Sequence, residues 1–309
     1  MEKLYAGVDI HKDKYVGCIV DTTGKVIREH TFSPTKEGAE SFLSGMPIEE
    51  IAIEACGMWR AAFNLFRSLG QNVKLSSAKK THDIACRKKT DKIDAKILAN
   101  LLRTGFLPEV YVPSDDMLHL RDLCRHKSNL TRSRVSYQNK IKGRLLTLGK
   151  VCPEKLWNKK RIEKLRVLED HIINTLLSVR ESIEKEEKDT LSKIKKISRK
   201  KKLTSLLITV PGIAEFGALM ILSEIANIKR FKTPKELVMY AGLCPGTFQT
   251  GDTEKDVTNN AVNKWLKWIL TECSGRASIL GGTKFQCHYT KIKKEKTVKL
   301  QEEVRQERC

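Results

Sequence analysis

Apolar and polar residues alternate with period two over the first quarter of the chain, then shift to a period of three to four after residue 90. In residues 4–10, Leu4, Ala6, Val8 and Ile10 fall on one side and Tyr5, Gly7 and Asp9 on the other. That alternation predicts a strand carrying Asp9 near its end. Residues 15–20 and 25–32 predict two further strands, joined by the turn Asp21-Thr22-Thr23-Gly24. A helix opening at Ser33-Pro34-Thr35 follows. In the predicted strand 51–56, Ile51, Ile53 and Ala55 alternate with Ala52, Glu54 and Cys56, which sets Glu54 inside an otherwise apolar run. A helix over 58–69, closed by Gly70, and a strand over 72–76 complete the pattern. A strand meander followed by alternating helices and strands predicts an α/β fold, a mixed sheet with helices on its faces.

The next stretch, Thr90-Asp91-Lys92-Ile93-Asp94-Ala95, leads into Ile97, Leu98, Leu101 and Leu102 at helical spacing. Asp91 and Asp94 therefore stand three apart at a helix start, on one side of it, near enough to share a divalent cation. Acids at a helix start also serve ordinary capping and favour the positive end of the helix. Asp9 and Glu54 tilt the balance, because acids are depleted in strands and costly there when buried unpaired. Four converging carboxylates can hold two divalent ions across a scissile phosphate.

The formal net charge of +21 changes the choice of partner. With 58 Lys and Arg against 37 acids, the chain favours polyanions through counterion release. Mean hydropathy is −0.38, and no apolar run approaches the roughly 20 residues that span a bilayer; no membrane partner is expected. Nine cysteines scattered without a C-x-x-C pair argue against a zinc ribbon and against a secreted disulfide framework. The expected setting is cytoplasmic.

From Ser114 the pattern predicts a long basic helix, with Leu118, Leu123, Leu130, Val135, Ile141, Leu145 and Leu148 as its apolar stripe. Arg121, Arg125, Arg132, Arg134, Lys140, Lys142 and Arg144 crowd the same stretch and are candidates for phosphate contact. After Cys152-Pro153, a second helix is predicted with Ile162, Leu165, Leu168, Ile172, Leu176, Val179 and Ile183 inward, together forming a coiled-coil-like hairpin or an oligomer seam. Residues 193–202, including Lys200 and Lys201, form a basic linker suited to a phosphate backbone but unable to read sequence. Further on, Val210-Pro211-Gly212-Ile213 before Phe216-Gly217-Ala218 has the character of a helix-hairpin-helix turn, where Gly212 offers backbone N–H groups to phosphate or simply turns the chain. Thr233-Pro234-Lys235-Glu236 is a capping box opening a helix to about residue 240.

Val8-Asp9-Ile10-His11-Lys12, Ala52-Ile53-Glu54-Ala55 and Lys89-Thr90-Asp91-Lys92-Ile93-Asp94-Ala95 resemble, in order, the Asp-Glu-Asp-Asp signature of one group of insertion-sequence transposases. That group is similar to Holliday-junction resolvases of the RuvC type and includes the bridge-RNA-guided recombinases. Tyr240-Ala241-Gly242-Leu243-Cys244-Pro245 followed by Thr250-Gly251 is similar to its C-terminal domain, where a Ser-Gly pair holds the nucleophile. Here Thr250 stands at the serine position, Ser274 lies too late to replace it, and Thr258-Asn259-Asn260-Ala261-Val262-Asn263 lacks the group's glycine. The resemblance implies a ribonuclease-H-like (RuvC-like) domain over 1–112, a basic helical/coiled-coil region over 113–200, a mostly α-helical transposase domain over 201–283 and a charged tail over 284–309. It also implies Mg²⁺ held by Asp9, Glu54, Asp91 and Asp94, Thr250 as nucleophile, DNA as substrate, a guide RNA and a homo-oligomer. Two other classes fit the same residues: a junction-type nuclease using water, and a nucleic-acid-binding descendant that has lost catalysis.

Overall fold

The computed structural model describes residues 3–84, 90–153, 156–198, 202–244, 246–250, 253–257 and 262–306, divided into two compact units, Met1–Val112 and Pro113–Cys309. The first unit is built on β1 (Leu4–Ile10), β2 (Tyr15–Val20), β3 (Val26–Phe32), α1 (Lys36–Leu43), β4 (Ile48–Glu54), α2 (Trp59–Ser68), β5 (Val73–Ser76), α3 (Ala78–Ile84) and α4 (Asp91–Arg103). Its five strands lie in the order β3-β2-β1-β4-β5. β1, β2 and β3 pair antiparallel, whereas β4 and β5 run parallel to β1.

The two faces of this sheet are covered differently. Leu4, Ala6, Val8, Ile10, Ile51 and Ile53 point into a core completed by Phe42 of α1 and Phe66 of α2. On the other face Ala52 packs with Leu98 and Leu102 of α4, and Val16, Cys18 and Val20 with Ala95 and Ala99. The helix comes close because residue 7 has no side chain: a Cβ on Gly7 would collide with the Ala95 carbonyl and the Ala99 amide. With both faces covered, all six residues of β2 are buried.

The second unit contains α5 (Asp115–Thr147), α6 (Lys159–Arg166), α7 (His171–Ser198), α8 (Lys202–Ile208), α9 (Glu215–Ile225), α10 (Pro234–Tyr240), β6 (Gly246–Thr250), β7 (Thr253–Val257), α11 (Lys264–Ile279) and α12 (Lys284–Gln306). α5 and α7 form an antiparallel hairpin, as Arg144 pairs with Asp170 near the turn and Arg134 with Glu187 further along. The hairpin's open end shares a core with the C-terminal helices: Leu120, Cys124 and Ile194 are buried with Leu219, Met220 and Leu266.

Three expectations need correction here. The predicted second helix is two, because Glu169 adopts φ 53° between α6 and α7. That break resets the phase, so Ile173 and Leu177 are buried while Ile172 is 48% exposed. The predicted stripe of α5 also shifts, with Val135 and Leu148 exposed and Leu120, Cys124 and Ser128 inward. The first part of the expected 193–202 linker is the last turns of α7; Lys200 and Lys201 lie outside the described residues. The antiparallel hairpin β6–β7, with Gly246↔Val257 through Thr250↔Thr253 in register, was not legible as strands at all.

Among the described residues no helix is long and apolar enough to cross a membrane.

Candidate metal centre

Strand register brings the first two acids together. Val8 pairs with Ile53 in the parallel β1–β4 ladder, so Asp9 and Glu54, each one position further on, leave the sheet on the face opposite Val8 and Ile53. That is the face α4 covers. Both acids stand at the carboxyl ends of parallel strands, where open α/β sheets place their sites. Glu54 is the last residue of β4 rather than an interior one.

α4 supplies the other two. Thr90 is its N-cap, with the hydroxyl accepting from the Ile93 amide at 3.3 Å. Capping is therefore done by the threonine, and the Asp91 and Asp94 carboxylates remain on the first turn for other work. Gly7 and the small residues Ala95 and Ala99 set how near this turn lies to the end of β1.

Two side chains of one loop, His11 and Lys14, meet Asp9 and Asp91. The loop between β1 and β2 is closed by the His11 amide donating to the Lys14 carbonyl at 3.1 Å. From it, His11 Nε2 lies 2.9 Å from Asp9 Oδ2 and 3.4 Å from Asp91 Oδ2, and Lys14 Nζ lies 2.9 Å from Asp91 Oδ2. Ligand atoms of Asp9, His11 and Asp91 all lie within 4.8 Å of one another. Burial pushes the Asp9 carboxyl up from its ordinary value; His11 opposes this, and the charges of Asp94 and Asp91 add to it. Asp91 is held down, chiefly by its hydrogen bond to Lys14. A half-buried acid crowded by other acids is stabilised by any cation that enters. An oxygen-rich set of carboxylates suits a hard divalent ion, with His11 as a nitrogen donor at its edge. His11 and Lys14 were not singled out in the sequence, although the short hairpin loop after Asp9 was the signal that would have found them.

The expected phosphate contacts divide sharply. Arg125 grips Glu224 at 2.7 and 2.8 Å, and Arg121 donates to the Ser223 and Glu224 carbonyls at 3.0 and 3.2 Å. Arg134 pairs with Glu187 and Arg144 with Asp170, each at 2.7 Å. These four arginines hold the fold together. Lys140 lies over the Tyr137 ring at 4.7 Å, Lys142 is exposed, and Arg132 rests on two tryptophans. Gly212 has φ 88°, and a Cβ there would come within 2.7 Å of the Ala277 amide. Its close approach to α11 is what requires glycine. Thr250 ends β6; its side chain lies outside the described residues.

Residues 6–149 match the family model of the IS110-type DEDD transposases, and residues 204–289 match that of the transposase IS116/IS110/IS902 family. The chain belongs to this family of transposases. Curated relatives agree with this family assignment. The transposase of insertion sequence element IS1111A from Coxiella burnetii is 22% identical over 80% of this chain and 70% of its own length. That of element IS1328 from Yersinia enterocolitica is 23% identical over 87% and 82%. The protein y4qE of Sinorhizobium fredii, also named as a transposase, is 26% identical over 69% of this chain. This family member spans about half of y4qE, 54% of its length. Among solved structures, RuvC of T. thermophilus in complex with a Holliday junction substrate matches with TM-score 0.28 at 10% identity, over 35% of this chain and 99% of that one.

Proposed function

We propose that the protein is a DNA transposase or recombinase that exchanges phosphodiester bonds at the ends of an insertion sequence, with Asp9, Glu54, Asp91 and Asp94 as ligands of divalent metal, Mg²⁺ in the cell. The observation that carries this is the shared location of two strand-end acids and one helix turn on a single sheet face, with His11 bonded to Asp9 and Lys14 paired with Asp91 beside them. The sheet order, antiparallel on one side of β1 and parallel on the other, is consistent with a ribonuclease-H-like reading of the unit. A divalent ion bound there would polarise the scissile phosphate and stabilise charge on the leaving oxygen. The carboxylates would fix its position, His11 would orient Asp9 and Asp91, and Lys14 would be released from Asp91 to face the phosphate. In this reading Thr250 supplies the attacking hydroxyl. Its oxygen bonds to phosphorus, the bond from phosphorus to the deoxyribose oxygen breaks, the threonine proton ends on that departing oxygen as a free sugar hydroxyl, and a protein–DNA ester is formed for rejoining. The family resemblance extends the proposal to a guide RNA and to a homo-oligomer joined through the α5–α7 region.

The threonine in place of serine favours one alternative, a metal-dependent junction nuclease in which water attacks. Covalent capture separates the two. Purified protein, element-end DNA, flanking RNA and Mg²⁺ are mixed and resolved on a denaturing gel. An adduct lost in both Thr250→Ala and Asp94→Ala is the expected result. Cleavage without an adduct establishes the nuclease. Binding with neither would mark a degenerate, non-catalytic descendant.

A further inference from the structure

The α5 helix carries five arginines, and four of them are matched to acids or carbonyls of the fold. Arg132 is different. It is exposed, and among the described residues no carboxylate pairs with it. Its guanidinium lies 4.6 Å from the Trp265 ring centre and 5.3 Å from that of Trp268. The two indoles meet edge to face, with centres 6.1 Å apart and planes at 83°. Both rings pack by one side on the buried core of the second unit, so their positions are fixed by the fold. Lys264, which precedes Trp265 and stands four residues before Trp268, shares the Trp268 side of α11. Lys264 has no acidic partner among the described residues.

A planar cation spread over two anchored indoles does more than staple α5 to α11. A staple would be served by any apolar side chain, at no desolvation cost to a charge. What this arrangement adds is a guanidinium plane held in place by two rings, with unneutralised positive charge beside it. Purines and pyrimidines stack on aromatic rings and on guanidinium planes, and flanking ammonium groups meet the phosphates. Charge complementarity selects a nucleic acid over a protein segment, and stacking selects unpaired bases over duplex, whose faces are already occupied.

We propose that Arg132, Trp265 and Trp268 form a stacking site for an unpaired nucleobase of a single-stranded nucleic acid, with Lys264 contacting an adjoining phosphate. The site lies wholly in the second unit and uses none of the carboxylates, so it is independent of the metal centre.

The test uses the full chain in excess chelator, which silences the carboxylate site. Fluorescence anisotropy reads binding of an oligodeoxythymidine of about twenty nucleotides and of a blunt duplex of equal length. Arg132→Ala is expected to weaken single-strand binding about tenfold and duplex binding less than about twofold. Arg132→Lys, which keeps the charge and loses the plane, is expected to behave like the alanine variant on the single strand. Equal losses on both probes, or no loss on either, overturn the proposal. A second measurement needs no variant: an oligonucleotide bearing iodouracil is photo-crosslinked to the wild-type protein, and the adducts are mapped. Adducts on Trp265 or Trp268 are expected; adducts confined to other residues overturn it.

Discussion

Two acids, Glu54 and Glu224, carry the same signal in the sequence: each interrupts an apolar element of a folded core. Their environments make them opposites. Glu224, in α9, is fully buried. Its carboxylate is met by Arg125 at 2.7 and 2.8 Å, by Asn263 at 2.8 Å and by Arg121 at 3.5 Å. Every partner is anchored on another helix or its cap, and the Tyr240 hydroxyl adds a bond to the Glu224 carbonyl at 3.4 Å. That charge is fully compensated by the fold, and it ties α5, α9, α10 and α11 together. Glu54 ends β4 next to Asp9 in the sheet register, and the neighbouring Asp9 and Asp91 are met from a surface loop by His11 and Lys14. Lys14 is 53% exposed and His11 41%. A buried acid with fixed protein cations holds structure, whereas clustered acids with exchangeable ones are poised for a ligand.

The sharpest break of this comparison is Glu224→Ala. It would strand two guanidinium groups around an empty site, and it is expected to cost about 3–5 kcal/mol, read as a fall in the urea midpoint. If stability is unchanged, Glu224 is not the tie described here. Next comes Gly7→Ala, which forces α4 off the sheet. Overpacking of this kind costs about 1–3 kcal/mol, and because α4 carries Asp91 and Asp94, metal binding should be lost along with it. A wild-type metal response in this variant would refute the link between helix approach and site.

Asp9→Asn tests the other half. It removes a partly desolvated charge from an acidic cluster, so stability should change by less than about 1 kcal/mol, while the rise in melting temperature on adding Mg²⁺ or Mn²⁺ disappears. A retained metal-induced rise would exclude Asp9 as a ligand.

The smallest effect is on the acid limb of stability. Asp170 is held low by Arg144 and the Ile173 amide. Burial pushes Glu187 up, but Arg134 and Thr131 outweigh it and hold it low. Such groups contribute stability above the ordinary carboxylate value of about 4 that is lost as pH falls through their lowered values. Asp9 has the opposite sign. Its raised value means that folding favours its protonated form, so its contribution declines as pH rises above about 4. Asp9→Asn should remove that decline and leave the loss at lower pH intact, as measured by denaturant midpoints across the acid range.

Alternation in 4–10 and 51–54, and the helical spacing after Thr90, were enough to put the four acids on their elements. Period-two geometry then assigns Asp9 and Glu54 to one face once the strands are neighbours. Local spacing does not say who the neighbours are. The phase of α7 followed a single left-handed residue, Glu169, whose type gives no warning of it. The β6–β7 strands lie in a short polar segment with no clean alternation.

What the sequence by itself determined is the order of elements, the acids at their ends and a chain too basic to be indifferent to polyanions, because these follow from local periodicity and summed charge. Only the tertiary structure decided which charges remain available. Arg121, Arg125, Arg134 and Arg144 look like Arg132 along the chain, yet those four are engaged by three acids tens of residues distant, Glu224, Glu187 and Asp170, and Arg132 is left over two indoles. The reason is physical: a charge is spent or kept according to what lies within a few ångströms of it, and that is set by packing between elements far apart in sequence.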